Sequence, residues 1–183
     1  MSDPISETRR WIEAIVIGLN LCPFARRVFE GGKIRFAVSE ATDTQALLVD
    51  LEGELRRLVA EPIDEVETAI LIHPYVLQDF LDYNDFLGEA DHRLKTLGLA
   101  GVVQIAGFHP QYRFAGTKPG AVENFTNRSP YPMLHLLREE SVTKVVGDPE
   151  FLDGIPRRNV AMLRALGMAR FQKLRDTPSD AGG

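Results

Sequence analysis

Apolar residues recur at helical spacing in several segments of the chain. The first segment is residues 8–21, where five of them share one stripe: Trp11, Ile12, Ile15, Val16 and Leu19. A second helix is predicted after a cap at Thr42 or Thr44 and before Pro62, with leucines at positions 47, 51, 55 and 58. The same spacing predicts further helices over residues 77–97, 131–140 and 157–175.

Three shorter segments have the patterns of β-strands. Residues 33–39 alternate between apolar and polar side chains, and residues 66–73 form a continuous apolar run typical of a strand buried on both faces. Residues 101–108 predict a third strand. Because strands and helices alternate, we predict an α/β fold: a small three-layer domain with a short, mainly parallel sheet flanked by helices.

The chain length agrees with one domain. It has 183 residues, of which 44% are hydrophobic, enough to bury a sizeable core. We therefore predict a single α/β domain over residues 1–175. The polar, Gly-rich residues 176–183 are predicted to form a disordered C-terminal tail.

Charge and cysteine content narrow the classes of function. The net charge is -5, divided into -8 over residues 1–100 and +3 over residues 101–183. An acidic protein without a basic stripe is a poor nucleic-acid binder, and no run is long enough for a membrane helix. The N-terminus has no signal-peptide pattern, and Cys22 is the single cysteine. We expect a cytoplasmic protein with no nucleic-acid or membrane partner.

Two predicted strands end in the same dipeptide, His-Pro. His73 and His109 each precede a proline and would leave a parallel sheet at its carboxyl edge, where open α/β sheets bind ligands. His109 is the candidate general acid or base, because the ordinary histidine pKa lies near neutrality. The alternative is structural: His-Pro ends a strand well, and the histidine then caps a backbone group.

The segment after His109 collects polar residues. Residues 109–129 predict a long loop without regular structure, and such loops are usually functional or disordered. Ser129 would cap the predicted helix 131–140, with Pro130 in its first turn, so that free N–H groups and Arg128 form an anion site. The predicted substrate-binding residues are Arg113, Thr126, Asn127, Arg128 and Ser129. Tyr112 and His135 would position the substrate or complete a proton path. Alternatively, the polar residues are helix caps and Arg128 holds the loop through carbonyl groups.

Cys22 has several interpretations. It could end the first helix as a small buried apolar residue, or its thiol could face a ligand. If residues 14–21 formed a strand, Cys22-Pro-Phe would open a helix, as in glutaredoxin-like domains, and the thiol would be reactive. A site made of Cys22, His73 and His109 has no recognised metal-ligand spacing, so no metal is predicted and the cofactor is left open.

Three motifs carry a family resemblance. They are Cys-Pro-Phe-Ala, Gly-Phe-His-Pro-x-Tyr-x-Phe-Ala-Gly-Thr, and Thr-Asn-Arg-Ser-Pro-Tyr-Pro-x-x-His-Leu-Leu-Arg-Glu. The chain resembles a bacterial family catalogued as domain of unknown function 1415, from about residue 8 to residue 145. The resemblance implies a cytoplasmic bacterial protein and carries over no activity and no catalytic residue.

Three functions are compatible with these observations. The first is binding of a small anionic metabolite at the carboxyl edge of the sheet, followed by acid/base chemistry through His109. The second is a non-catalytic module that binds a partner through an exposed apolar patch beside Tyr112, Phe114 and Tyr131. The third is a single-thiol redox domain centred on Cys22. Whether the protein is an enzyme, and its oligomeric state, stay open.

Overall fold

The computed structural model describes residues 3–146 and 149–176. Its helices are α1 (Pro4–Trp11), α2 (Ala25–Glu30), α3 (Thr44–Ala60), α4 (Phe80–Thr96), α5 (Glu139–Val146), α6 (Pro149–Leu166) and α7 (Met168–Asp176). Its strands are β1 (Ile34–Val38), β2 (Thr68–Ile72), β3 (Val103–Phe108) and β4 (Met133–Arg138). A π-helical segment, Ile12–Ile17, continues α1, and a 3-10 helix, Val122–Asn127, lies within the predicted loop.

Side-chain caps explain where the predicted helices begin. Asp43 caps α3, because its Oδ1 accepts a hydrogen bond of 2.8 Å from the Ala46 N–H, so the predicted caps at Thr42 or Thr44 were each wrong by one residue. Asp79 caps α4 in the same way through the Leu81 N–H, at 2.8 Å. Gly167, with a φ of +76°, separates α6 from α7 where one helix was predicted.

The four strands form one sheet in the order β1-β2-β4-β3. The β1–β2 pair is parallel, whereas β4 is antiparallel to both of its neighbours. The prediction of a mainly parallel sheet was therefore wrong, although the α/β class is confirmed. The three predicted strands do run in the same direction, and β4 is inserted between β2 and β3.

The segment 131–140 was predicted as a helix and is instead the strand β4. Its apolar run is short, and such runs fit a buried strand as well as a helix. Here pairing on both sides satisfies the backbone, and Leu134 and Leu136 are fully buried. Pro132 precedes the strand, where its carbonyl accepts the His73 N–H at 3.0 Å and no proline N–H is needed. The predicted helix N-terminus after Ser129 does not exist.

Helices cover both faces of the sheet. On one face, α3 and α4 pack on the sheet through a leucine-rich cluster that includes Leu47, Leu51, Leu55, Leu58, Leu134 and Leu136. On the other face, α1, the π-helical segment and α7 form a second cluster that includes Trp11, Ile15, Ile70, Ile72, Met133 and Phe171. Trp11 and Met133 of this second cluster also line cavities of the protein.

The limits of the domain stay a prediction. Of the predicted tail, residues 176–183, only Asp176 lies within the described residues, where it ends α7. Within the described residues, no helix has the length and apolar composition needed to cross a membrane.

Candidate functional site

His73 and His109 lie at the same edge of the sheet, as their positions after two strands predict. The His73 N–H donates to the Pro132 carbonyl at 3.0 Å, and the His109 N–H donates to the Asn127 carbonyl at 3.1 Å. Both imidazoles are in contact with Tyr83, with ring centroids 5.9 Å and 5.0 Å from it. The edge is thus closed by an aromatic cluster rather than left as an open crevice between the two histidines.

Both ring nitrogens of His109 are engaged. Its Nδ1 accepts from the Gln111 N–H at 2.9 Å, so its Nε2 carries the proton and donates to the Leu77 carbonyl at 3.0 Å. The side chain is fully buried, and burial lowers the pKa of His109. These contacts correspond to the structural alternative, in which the histidine caps backbone groups. Its role as acid or base stays a prediction.

His73 is also fully buried. Its Nδ1 donates to the Val76 carbonyl at 3.2 Å, and no described residue bonds its Nε2. Burial, with a smaller contribution from the neighbouring His109, lowers the pKa of His73 to about 4. The ring is therefore neutral at neutral pH.

The polar residues of the segment 109–129 bond mainly to one another. Asn124 is fully buried, and its Oδ1 accepts from the Phe114 N–H at 3.0 Å while its Nδ2 donates to the Lys118 carbonyl at 2.8 Å. Thr126 Oγ1 lies 2.9 Å from Asn127 Oδ1, and Asn127 Nδ2 donates to the Gly107 carbonyl at 3.2 Å. These bonds explain the polar composition of the segment, because they hold it against the end of β3.

Arg128 is held rigidly within the same segment. Its Nε donates to the Tyr112 carbonyl at 3.0 Å, one Nη donates to the Pro119 carbonyl at 2.5 Å, and its guanidinium lies 4.4 Å from the Phe125 ring centroid. Among the described residues, no carboxylate pairs with it. Burial lowers the pKa of Arg128, which is the sign of a partly desolvated cation without a compensating anion. Ser129, beside it, donates from Oγ to the Tyr131 carbonyl at 2.6 Å.

Arg128 and Ser129 line a cleft of about 460 Å³, which we call the arginine cleft. Two further arginines line it, Arg10 from α1 and Arg175 from α7, together with one acidic residue, Glu7. The other lining residues are apolar: Trp11, Ala14, Ile15, Pro110, Phe125, Pro130 and Phe171.

The sequence patterns do not indicate Arg10 and Arg175 as site residues, because the two lie far apart in the chain, in α1 and α7. The available signal was the charged pair Arg9-Arg10 immediately before Trp11, and it does not indicate which surface the arginines would share.

Tyr112 and Arg113 face a different part of the surface. Tyr112 is half-buried, with ring centroids 5.1 Å from Phe80 and 5.0 Å from Phe114, and burial raises its pKa. Arg113 is exposed and lines a second cleft of about 520 Å³, to which Arg128 and Pro110 also belong. Of the predicted substrate-binding residues, Arg128 and Ser129 line the arginine cleft and Arg113 lines the second cleft together with Arg128. Thr126 and Asn127 line neither cleft.

His135 and Cys22 line a third cavity of about 60 Å³, which we call the apolar pocket. Thr68 Oγ1 donates to the Leu136 carbonyl at 2.6 Å, so the hydrogen bond of 2.7 Å between His135 Nε2 and Thr68 Oγ1 is donated by the histidine. Burial lowers the pKa of His135 to about 4. His135 thus lies apart from His109 and Tyr112, with which it was predicted to act.

The environment of Cys22 is that of a half-buried apolar residue. Burial raises the pKa of its thiol, which is opposite to the shift that activates a nucleophilic cysteine. Residues 12–17 are helical, so the alternative with a strand before Cys22 is wrong. Within residues 3–146 and 149–176, no three His, Cys, Asp or Glu residues come together as a potential metal site.

The fold and the site define a small α/β protein with an open, four-stranded mixed sheet and an arginine-lined cleft beside the start of β4. The chain belongs to the family described as Protein of unknown function (DUF1415), whose model matches residues 3–173. No curated protein and no solved structure matches the chain.

Proposed function

We propose that this protein binds a small anionic molecule in the arginine cleft. The observation that carries the proposal is the imbalance of charge there: three arginines and one glutamate line a single concave surface. Arginine suits such a site, because its planar guanidinium can donate two parallel hydrogen bonds to a carboxylate or a phosphate.

Arg128 is the central residue of the proposed site. Its hydrogen bonds to two backbone carbonyls fix its guanidinium before a ligand arrives, so binding loses little side-chain entropy. Arg10 is exposed and supplies additional positive charge at the rim, whereas Arg175, also exposed, is paired with the Asp176 carboxylate through its Nε at 2.8 Å. Ser129 lines the cleft as a further polar contact. Thr126 and Asn127 act indirectly: their hydrogen bonds to each other and to the Gly107 carbonyl hold the segment that carries Arg128.

Binding is proposed here without a chemical step. Acid/base action by His109 would require the loss of its hydrogen bond to Leu77 or to Gln111, and the side chain is fully buried. Tyr112 and Arg113 belong to the neighbouring cleft, where Arg113 would extend the positive surface beyond Arg128.

The two alternatives have less support. The partner-binding module needs an exposed apolar patch beside Tyr112, Phe114 and Tyr131, and all three side chains are half-buried. The redox domain needs a thiol with a lowered pKa, and the pKa of Cys22 is raised.

A thermal-shift titration tests the proposal. Inorganic phosphate, short carboxylates and phosphorylated metabolites would be added to the wild-type protein and to Arg10→Ala, which removes an exposed charge for which no hydrogen bond or ion pair is found among the described residues. A ligand at a hundred times its dissociation constant adds about 2.7 kcal/mol to the free energy of unfolding. Arg170→Ala is the matched control, since it removes an exposed arginine of α7 that does not line the cleft.

We expect a shift in the wild type and in Arg170→Ala that is reduced in Arg10→Ala. Arg128→Lys should reduce it further, because a lysine cannot make the bidentate contact. Equal shifts in all four proteins would contradict the proposed site, and the absence of any shift across the panel would contradict anion binding.

A further inference from the structure

Trp11 lines both the arginine cleft and the apolar pocket. It is the last residue of α1, and the π-helical segment follows it directly. Successive residues of this segment divide between the two cavities: Ala14 and Ile15 line the cleft, whereas Ile12 and Val16 line the pocket. The two cavities are therefore neighbours, separated by one side chain and one helical turn.

The apolar pocket lies between the helical layer and the sheet. Ten of its lining residues besides Cys22 and His135 are apolar: Trp11, Ile12, Val16, Phe24, Ala25, Val28, Ile34, Ile70, Phe108 and Met133. Its volume of about 60 Å³ exceeds what one water molecule needs. Water in such surroundings finds few hydrogen-bond partners, so an apolar group displaces it favourably.

Trp11 has an unsatisfied donor. The side chain is 9% exposed, and its Nε1 has no hydrogen-bond partner among the described residues. A buried N–H without an acceptor costs about 1–3 kcal/mol, so such groups are rare unless a ligand or water completes them. An anionic head group lying in the cleft against Trp11 would provide the missing acceptor.

We propose that the ligand of the arginine cleft is an amphipathic anion, with a carboxylate or phosphate head beside the arginines and a short apolar tail in the apolar pocket. The inference rests on the proposed function and names the class of molecule that the site takes. Trp11 stands at the junction, where its indole contacts the tail and its N–H donates to the head. The arginine cleft by itself has no feature that requires an apolar tail. The tail is inferred from the adjoining apolar pocket.

Two residues of the chain allow ligand binding at the two cavities to be measured directly. Trp11 is the single tryptophan and Cys22 the single cysteine, and both line the apolar pocket. All tryptophan emission therefore comes from the junction of the two cavities. The rate at which a small thiol reagent modifies Cys22 measures whether the pocket is occupied.

The test compares acetate, butyrate and hexanoate, and the corresponding alkyl phosphates with inorganic phosphate, on the full chain. Each methylene buried in the pocket should tighten binding by about fourfold until the pocket is full. Butyrate should therefore bind about fifteenfold more tightly than acetate. Hexanoate should slow the modification of Cys22 at saturation, while acetate and inorganic phosphate should not. The carboxylate and phosphate series identify which head group the arginines prefer.

Two variants separate the pocket from the cleft. Ala25→Leu adds apolar volume to the pocket wall and should remove the preference for longer tails without weakening the binding of acetate. If Ala25→Leu does not fold, Val28→Ala enlarges the same pocket and should move the preference to a longer tail. Arg10→Ala should weaken all members of either series by a similar factor.

The outcomes distinguish the two proposals. If affinity does not depend on tail length and Cys22 is not protected, the inference is overturned while the anion site stands. If tailed anions protect Cys22 but Arg10→Ala has no effect, the pocket binds apolar groups independently and the link to the cleft is overturned. If neither series binds, the proposed function fails and the inference with it.

Discussion

Tyr83 donates a hydrogen bond of 2.8 Å from its hydroxyl to the carbonyl oxygen of Met133, fifty residues further along the chain. The hydroxyl oxygen of Tyr83 in turn accepts a bond of 2.9 Å from the Phe108 N–H. Phe108 and Met133 are register partners in the β3–β4 pair, so the hydroxyl of an α4 residue bridges the end of that pair. A Cβ at residue 107 would lie 2.8 Å from this hydroxyl, which explains the glycine there.

Replacement of Tyr83 by phenylalanine should destabilise the protein by about 2 kcal/mol, because it leaves a backbone donor and acceptor without their partner in the core. The measurement is the free energy of unfolding from urea denaturation. Tyr75→Phe is the control, since Tyr75 is 55% exposed and its replacement should change stability by less than about 0.5 kcal/mol. Equal effects of the two substitutions would contradict the bridging role.

Asn124→Ala should loosen the segment 109–129. The substitution removes the acceptor for the Phe114 N–H and the donor to the Lys118 carbonyl, at a cost of about 2 kcal/mol. Hydrogen exchange at the Phe114 amide should become faster, because that N–H loses its partner. Asn84→Ala, on the exposed face of α4, should leave this exchange rate unchanged. Unaltered protection of the Phe114 amide in Asn124→Ala would show that other contacts hold the segment.

Thr8→Val should stabilise the protein by about 1 kcal/mol. The Thr8 side chain is fully buried in α1, and its Oγ1 has no hydrogen-bond partner among the described residues, so an apolar group of the same shape avoids a desolvation cost. Thr126→Val is the matched comparison and should destabilise, because that hydroxyl bonds within the segment. A loss of stability in Thr8→Val would indicate an internal water bonded to the hydroxyl.

The free energy of unfolding should fall as the pH drops below 6.5. Unfolded His73 takes up a proton near its ordinary pKa of 6.5, whereas the folded protein resists protonation until about pH 4. Between these values the unfolded state binds more protons, so stability decreases with falling pH, by up to about 3 kcal/mol for this one residue. His135, whose pKa is also lowered to about 4, contributes in the same direction.

Urea denaturation at about pH 7 and about pH 5 measures this dependence. His73→Asn keeps a donor for the Val76 carbonyl and removes the titrating ring, so its stability should change less between the two pH values than that of the wild type. An unchanged difference would assign the dependence to other groups.

Local patterns in the sequence predicted much of the framework. The strands β1, β2 and β3, the helices α3 and α4, and the placement of His73 and His109 at one edge all follow from periodicity and from the prolines that end strands. These features depend on residues close together in the chain, which is why a local pattern is enough to identify them.

The tertiary structure alone decided the rest. The run Met133–Arg138 is compatible with helix or strand, and it becomes a strand because β2 and β3 present unpaired backbone on either side of it. Because this segment is a strand, the helix N-terminus at which an anion site was predicted does not exist. The arginine cleft instead gathers Arg10, Arg128 and Arg175 from α1, the segment before β4, and α7. Residues this far apart share a surface only through packing, because no local spacing encodes which helix faces will meet.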